Sequence, residues 1–231
     1  MIKTNIMVCK TCSVCNNKSN QPAFKEKLYF CPGIKPLGNF DLDFRLHKPN
    51  DHFKKLNTLQ ECPYCGYVSN NLEEKTNLSI DFFDSINYKT CDGIDFKSNH
   101  AAKCYKRYLI YKETNELFFS FQYIQLCAWA CDDENDIENS KVIRKIGINL
   151  INEILESENK VLLTDDWLAI KFDWMRRIGD FEELINECKD INLKDRTWST
   201  FLQFQLDKAK NKDSSCYSMH DANRWNKEEG I

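Results

Sequence analysis

The sequence has 231 residues and a mass of 27.3 kDa, which is enough for one medium-sized domain or for a small and a medium-sized domain together. A net charge of −3, with 29% charged residues, excludes the strongly basic composition of a nucleic-acid-binding tail. The longest apolar stretch, residues 117–130, contains two glutamines and is too short to span a membrane.

Proline and tryptophan occur in different parts of the sequence. All five prolines lie within residues 1–63, and all five tryptophans lie beyond residue 128. Prolines with short alternating runs are typical of turns and strands, whereas the later part has helical periodicity. We therefore predict a mostly α protein, with a small module of short strands and turns over residues 1–70 and a helical domain over residues 71–231.

Two C-x2-C pairs are the most specific pattern in the first part. They are Cys12 with Cys15 and Cys62 with Cys65. Each pair places two sulfurs on one tight turn, and two such turns supply the tetrahedral sulfur set that Zn²⁺ prefers. The sequence therefore predicts a structural zinc site with these four ligands, which makes residues 1–70 a small zinc-ribbon-like module.

Cys9 and Cys31 leave the choice of ligands open. Cys9 precedes the first pair by three residues, so that Cys9, Cys12, Cys15 and Cys31 form a rival set. The residue after the second cysteine of a zinc knuckle often has a left-handed conformation, which Asn and Gly tolerate best. Asn16 and Gly66 occupy these positions, and this favours the four-cysteine set of two C-x2-C pairs.

Short strands are expected in the first part, over residues 40–44 and 56–61, where apolar and polar residues alternate. The clearest helix in the second part covers residues 165–178, with two aspartates in its first turn, two arginines in its last turn and Gly179 behind it. Asp180 then begins another helix as its N-cap, with Glu183 completing a capping box. Further helices are predicted over residues 72–88, 98–112, 115–132, 136–157 and 194–211.

Two predicted helix pairs resemble each other. Gly179 and Asp180 stand between one pair, Asn135 and Asp136 stand between the preceding pair, and the offset is 44 residues. This pattern resembles the turn between helices of tetratricopeptide repeats, although the regular repeat has 34 residues. We predict a degenerate tetratricopeptide-like stack of antiparallel helices; a plain helical bundle is the alternative.

No catalytic motif stands out in the sequence. It contains no Ser-His-Asp order, no nucleotide-binding loop and no H-E-x-x-H helix, so we expect no enzymatic activity. His47 and His52 are alternative metal ligands or, more simply, loop residues, and Cys127 and Cys131 stand one helical turn apart as a metal pair or as core residues. No signal peptide is recognisable, so we expect a cytoplasmic protein whose 12 cysteines are reduced.

The chain also resembles a known group of bacterial proteins. These carry a domain of unknown function and combine a paired cysteine-knuckle module with tetratricopeptide-like helices. The motifs that carry the resemblance are Cys12-Ser13-Val14-Cys15-Asn16, Asp41-Leu42-Asp43-Phe44-Arg45, Gln60-Glu61-Cys62-Pro63-Tyr64-Cys65-Gly66-Tyr67 and Arg176-Arg177-Ile178-Gly179-Asp180-Phe181. The resemblance implies zinc at Cys12, Cys15, Cys62 and Cys65 and implies no particular activity. The chain departs from the group in having Cys9 and in lacking a proline close to Asp43.

These observations favour a non-enzymatic zinc-binding adaptor, with a protein or peptide partner bound by the helices. Nucleic-acid binding by the first part is the alternative. Nine Lys, one Arg and five acidic residues give residues 1–70 a net charge of +5, and binding of this kind would weaken steeply with salt.

Overall fold

The computed structural model describes residues 7–23, 40–45, 59–157, 164–189, 191 and 196–229. This part of the chain is mostly helical with a few short strands near its start, as predicted. The strands are β1 (Met7–Thr11), β2 (Lys18–Pro22), β3 (Gln60–Glu61) and β4 (Val68–Ser69). The helices are α1 (Ile80–Asp84), α2 (Ile86–Lys89), α3 (Asn99–Glu113), α4 (Leu117–Asp133), α5 (Ile137–Glu156), α6 (Thr164–Ile178), α7 (Phe181–Cys188), α8 (Arg196–Lys210) and α9 (Met219–Glu229).

The strands form two antiparallel hairpins. β1 pairs with β2, with Cys9 opposite Asn20, and β3 pairs with β4, with Glu61 opposite Val68. Only residues 60–61 of the strand predicted over 56–61 are strand, and residues 56–58 lie outside the described part. The β1–β2 hairpin has no clear period-two alternation of apolar residues, which is why the sequence did not indicate it.

The long helices agree with their predicted positions. The predictions over residues 98–112, 115–132, 136–157, 165–178 and 194–211 correspond to α3, α4, α5, α6 and α8. α7 begins after Asp180, as predicted, but the Asp180 side chain makes no capping hydrogen bond. α9 was missed because its sequence is largely polar.

The helix predicted over residues 72–88 is wrong. The structure has two short helices there, separated by Ser85 in an extended conformation with ψ 148°. The Ser85 hydroxyl donates to the Phe82 carbonyl and accepts from the Tyr88 N–H, so it serves as the N-cap of α2. A serine that bonds its own backbone in this way competes with continuation of the helix.

The strand predicted over residues 40–44 is also wrong. The Phe44 N–H bonds the Asp41 carbonyl at 2.9 Å, which closes a turn. Phe40 and Asp41 each take part in a β-bridge, and the partner of Asp41 is Ser218. Phe44 has φ 66°, a left-handed conformation that a strand does not contain.

The chain divides into two compact units, and neither is continuous in sequence. The first contains residues 1–30 and 49–140, and the second contains residues 31–48 and 141–231. The first thus includes both strand hairpins and the helical hairpin α3–α4, whereas in the second α8 packs against α6, α7 and α9. The boundary predicted near residue 70 separates strands from helices in the described residues, and as a domain boundary it stays a prediction.

Four of the described helices end in the same turn. The first or second residue after the helix has positive φ, at Asn115 (58°), Asn135 (52°), Gly179 (93°) and Lys212 (53°). In each turn the next residue's N–H bonds the carbonyl five residues back, at 2.8–2.9 Å, for example Asp136 to Cys131. These are Schellman motifs. The similarity predicted between the turns at residues 135 and 179 is therefore real, while the tetratricopeptide repeat type stays a prediction.

Candidate metal centre

The first knuckle, residues 12–17, lies at the turn of the β1–β2 hairpin. The Cys12 N–H donates to the Asn17 carbonyl and the Asn16 N–H donates to the Cys12 carbonyl, both at 2.9 Å. These bonds wind the chain so that Cys12 and Cys15 lie on one side of the turn. Asn16 has φ 58°, the left-handed conformation predicted from its side chain.

The second knuckle, residues 62–67, repeats this geometry between β3 and β4. The Cys62 N–H donates to the Tyr67 carbonyl, and the Gly66 N–H donates to the Cys62 carbonyl, again at 2.9 Å. Gly66 has φ 74°. The two knuckles are therefore equivalent in hydrogen bonding and in backbone conformation, as the spacing of their cysteines predicts.

The four sulfurs of Cys12, Cys15, Cys62 and Cys65 lie within 4.8 Å of one another. The Cys12 and Cys65 sulfurs are 3.7 Å apart, and those of Cys15 and Cys62 are 3.5 Å apart. A tetrahedral ion with Zn–S bonds of about 2.3 Å would separate its sulfurs by about 3.8 Å. The cluster therefore has the size of a tetrahedral metal site.

Burial and hydrogen bonds give the thiols different pKa values. Cys12, Cys62 and Cys65 are buried, whereas Cys15 is half-buried. Burial raises the pKa of the Cys12 and Cys65 thiols above the usual value of 9.0. Burial also acts on Cys15, but the backbone N–H and the side-chain amide of Asn17 outweigh it and lower its pKa to about 7. In the metal-free cluster Cys15 is thus the first of these three thiols to ionise.

Two buried glutamines join the hairpins that carry the knuckles. The Gln21 amide donates to the Glu61 carbonyl, and the Gln60 amide donates to the Pro22 carbonyl, both at 2.9 Å. The Gln60 side-chain oxygen also accepts the Leu72 N–H at 2.9 Å. These bonds fix the register of the two hairpins through protein groups alone. Sequence reasoning missed both residues, because a glutamine in a strand carries no signal of this role.

An aromatic cluster supports the second knuckle. Tyr67, Phe83 and Tyr88 are buried, and their ring centroids lie 5.2–5.3 Å apart in edge-to-face contacts centred on Phe83. The Tyr88 hydroxyl donates to the Gly66 carbonyl at 3.0 Å. Edge-to-face packing is a favoured arrangement of aromatic rings. It holds the second knuckle against α1 and α2.

Arg107 of α3 provides a second support. It is buried, and it donates to the Val68 carbonyl at 3.4 Å, to the Glu74 carboxylate at 3.0 Å and to the Tyr111 hydroxyl at 2.8 Å. The Glu74 carbonyl in turn accepts the Ser13 hydroxyl of the first knuckle at 2.6 Å. Arg107 and Glu74 therefore connect both knuckle regions to the helical hairpin of the same unit.

The other candidate ligands take different positions. Cys9 is exposed on β1, and Cys31, His47 and His52 lie outside the described residues. Cys127 and Cys131 are fully buried in α4, and the Cys127 thiol donates to the Ala101 carbonyl at 3.3 Å. Within the described ranges, the cluster of two C-x2-C pairs is the group of three or more candidate ligands close enough to share an ion.

Comparison with known proteins yields no match among protein-family models, curated proteins or solved structures. None of the helices in the described part of the chain combines the length and the apolar character needed to cross a bilayer.

Proposed function

We propose that the protein is a non-enzymatic adaptor, in which the clustered thiols bind one structural Zn²⁺ and the helices bind a protein or peptide partner. The convergence of four cysteine sulfurs within 4.8 Å carries the proposal. Two equivalent knuckles present these sulfurs from two hairpins, and a structural zinc ion binds four such ligands.

Zinc is the metal that best fits four cysteine ligands in this size of site. Thiolates favour soft or borderline ions, and a tetrahedral set of four sulfurs favours zinc or iron over magnesium and calcium. We choose zinc because its four-cysteine sites are commonly structural and need no redox partner. All four coordination positions would be filled by protein sulfur, so the ion would hold the fold and leave no position for substrate.

The strands near the site are short, and this makes a metal useful for stability. β1 and β2 have five residues each, and β3 and β4 have two. Hairpins of this size are marginal in water without further support. A structural zinc ion contributes on the order of 10 kcal/mol in small zinc-binding peptides. The same thiols must stay reduced to bind it, so we place the protein in the cytoplasm.

Partner binding is proposed for the helical part of the chain. Its helices are joined by repeated Schellman turns, and stacks of antiparallel helices commonly bind peptides on their surfaces. Large exposed apolar side chains on these helices include Ile86 (71% exposed) and Ile137 (49%). A partner that covers these side chains would remove their apolar surface from water.

Metal analysis of the purified protein tests the zinc site. We expect one zinc ion per chain, lost in Cys62→Ser and retained in the matched control Cys9→Ser, because Cys9 is exposed and away from the cluster. Full zinc content in both Cys62→Ser and Cys12→Ser would reject the site, and iron in place of zinc would reject the choice of metal.

Affinity capture with the zinc-loaded chain tests the adaptor. Ile86→Asp and Ile137→Asp should retain less partner than the wild type at unchanged zinc content. Equal retention by both variants would count against binding through the helices.

A further inference from the structure

The second unit already holds a short peptide segment, and this segment is its own residues 40–45. The Leu42 N–H donates to the Tyr217 carbonyl at 3.0 Å, and the Met219 N–H donates to the Phe40 carbonyl at 2.8 Å. These bonds flank the Asp41–Ser218 bridge, so the segment pairs with the backbone just before α9. Addition of a short strand to an available backbone edge is a common mode of peptide recognition.

A carboxylate lies at the centre of this contact. Asp43 is fully buried, and its Oδ2 accepts from Trp174 Nε1 at 3.1 Å and from Arg177 Nη1 at 3.2 Å. Arg144 Nη2 of α5 lies 3.8 Å from the same oxygen. Two arginines and an indole N–H from two helices thus surround one carboxylate. A buried charge is tolerated only where partners of this kind replace water.

Apolar side chains stand on both sides of the carboxylate. Leu42 is 2% exposed, and the Phe44 ring lies 5.5 Å from that of Trp198 on α8. The second unit therefore contacts three consecutive side chains of the segment, namely an apolar side chain, an aspartate and an aromatic ring. Main-chain bonds supply affinity in such contacts, while the side-chain positions supply specificity.

The resident segment is held in a strained conformation. Phe44 has φ 66°, which is uncommon for an aromatic residue because its Cβ crowds the backbone. The strained backbone belongs to the segment, and not to the residues of α5, α6 and α8 that contact it.

We propose that Arg144, Trp174 and Arg177 form a receptor for an acidic peptide segment, and that residues 40–45 occupy it as a built-in ligand. A protein partner would present an aspartate between an apolar and an aromatic residue and would displace them. This inference rests on the proposed adaptor function, because it names the chemistry of the partner and the place where it binds.

Peptide binding to the full-length, zinc-loaded chain tests the receptor. The probe is a fluorescent peptide of residues 38–47, measured by anisotropy against the wild type and against Asp43→Ala. We expect at least about tenfold tighter binding to Asp43→Ala, because a tethered segment competes in the wild type at a high effective concentration. The matched control is the same peptide carrying Asp43→Asn, which should lose most of this binding.

Equal affinities in either of two comparisons would overturn the proposal. One compares the affinity of the peptide for the wild type and for Asp43→Ala, and the other compares the affinities of the Asp and Asn peptides for that variant. Leu42→Ala, which weakens the resident segment but keeps its carboxylate, should show an intermediate gain. If a variant does not fold by itself, millimolar peptide must restore its thermal transition, and a chain that stays unfolded counts against the receptor.

The outcomes distinguish this inference from the proposed function. Zinc content is measured on the same samples, so loss of zinc with intact peptide binding would reject the metal site alone. Partner capture that depends on the exposed helix positions, with no peptide binding to Asp43→Ala, would reject the receptor and leave the adaptor.

Discussion

Arg177 Nη1 donates to Asp43 Oδ2 at 3.2 Å across 134 residues of sequence. Asp43 is fully buried and the Arg177 side chain is only 10% exposed, so water solvates neither charge well. Two of the motifs noted in the sequence, one around Asp43 and one around Arg177, therefore meet in one ion pair of the second unit.

Removing the Asp43 carboxylate should destabilise the second unit strongly. Asp43→Ala leaves the buried guanidinium groups of Arg144 and Arg177 without this partner, and breaking a buried pair on one side costs about 3–5 kcal/mol. Asp207→Ala is the control, since its pair with Lys208 is partly exposed and contributes about 0–1 kcal/mol. Urea unfolding followed by tryptophan fluorescence measures both. Similar losses in the two variants would contradict this view of the pair.

The residue that follows the second cysteine of each knuckle should lose stability on substitution according to its φ angle. Gly66→Ala places a Cβ on a residue with φ 74° and should cost about 1–2 kcal/mol, with a matching loss of zinc affinity. Asn16→Gly keeps a residue that tolerates φ 58°, so it should change stability by only a few tenths of a kcal/mol. Thermal melts and a competing chelator report the two effects. A harmless Gly66→Ala would show that this conformation is not needed.

Zinc removal should loosen the two hairpins before the rest of the chain. Chelation leaves the buried sulfurs without a shared ion, while the second unit keeps its own core around Trp167 and Trp174. Hydrogen exchange by mass spectrometry should therefore accelerate in residues 7–22 and 60–69 and stay unchanged in α6. Uniform acceleration across the chain would mean that the ion stabilises both units together.

Zinc uptake should release protons, and the affinity should rise with pH. The raised pKa values of Cys12 and Cys65 keep both thiols protonated near neutrality, so each must lose a proton to the solvent on binding. Cys15, with a pKa of about 7, is partly ionised at pH 7 and releases less than one proton, so these three thiols together release between two and three protons. Titration in a weakly buffered solution with a pH indicator measures the release. Affinity that does not change between pH 6 and 8 would contradict it.

Asn17→Ala provides the matched variant for that titration. The Asn17 side-chain amide lies 3.5 Å from the Cys15 sulfur and lowers the pKa of its thiol. Without it the pKa of Cys15 rises, more of the thiol is protonated at pH 7, and zinc should release more protons than in the wild type. An unchanged proton count would show that the backbone N–H alone determines this ionisation.

The local parts of the fold and site were predictable, and the reasons are visible at particular residues. The cysteine spacing, together with Asn16 and Gly66, selected the four sulfurs that converge, because a knuckle is formed by bonds within six residues. The long helices followed from apolar periodicity and from turn residues such as Gly179.

The parts that could not be predicted depend on contacts distant in sequence. Gln21, Gln60 and Arg107 support the site through bonds that span about 40 residues, and no local pattern marks them. The turn at residues 40–45 looked like a strand because its alternation reflects a buried aspartate between apolar neighbours. Its partners, Trp174 and Arg177, lie more than 130 residues away.

The order of the two units along the sequence restricts how the protein can be divided into fragments. Both units are assembled from separated stretches, with residues 31–48 belonging to the second unit although they lie between the two cysteine pairs. A fragment of residues 1–70 would have the thiols without Arg107, and a fragment beginning at residue 141 would have Arg177 without Asp43. Truncation would therefore destabilise the unit that the fragment is meant to isolate. Point substitutions in the intact chain are the better way to assign roles to residues.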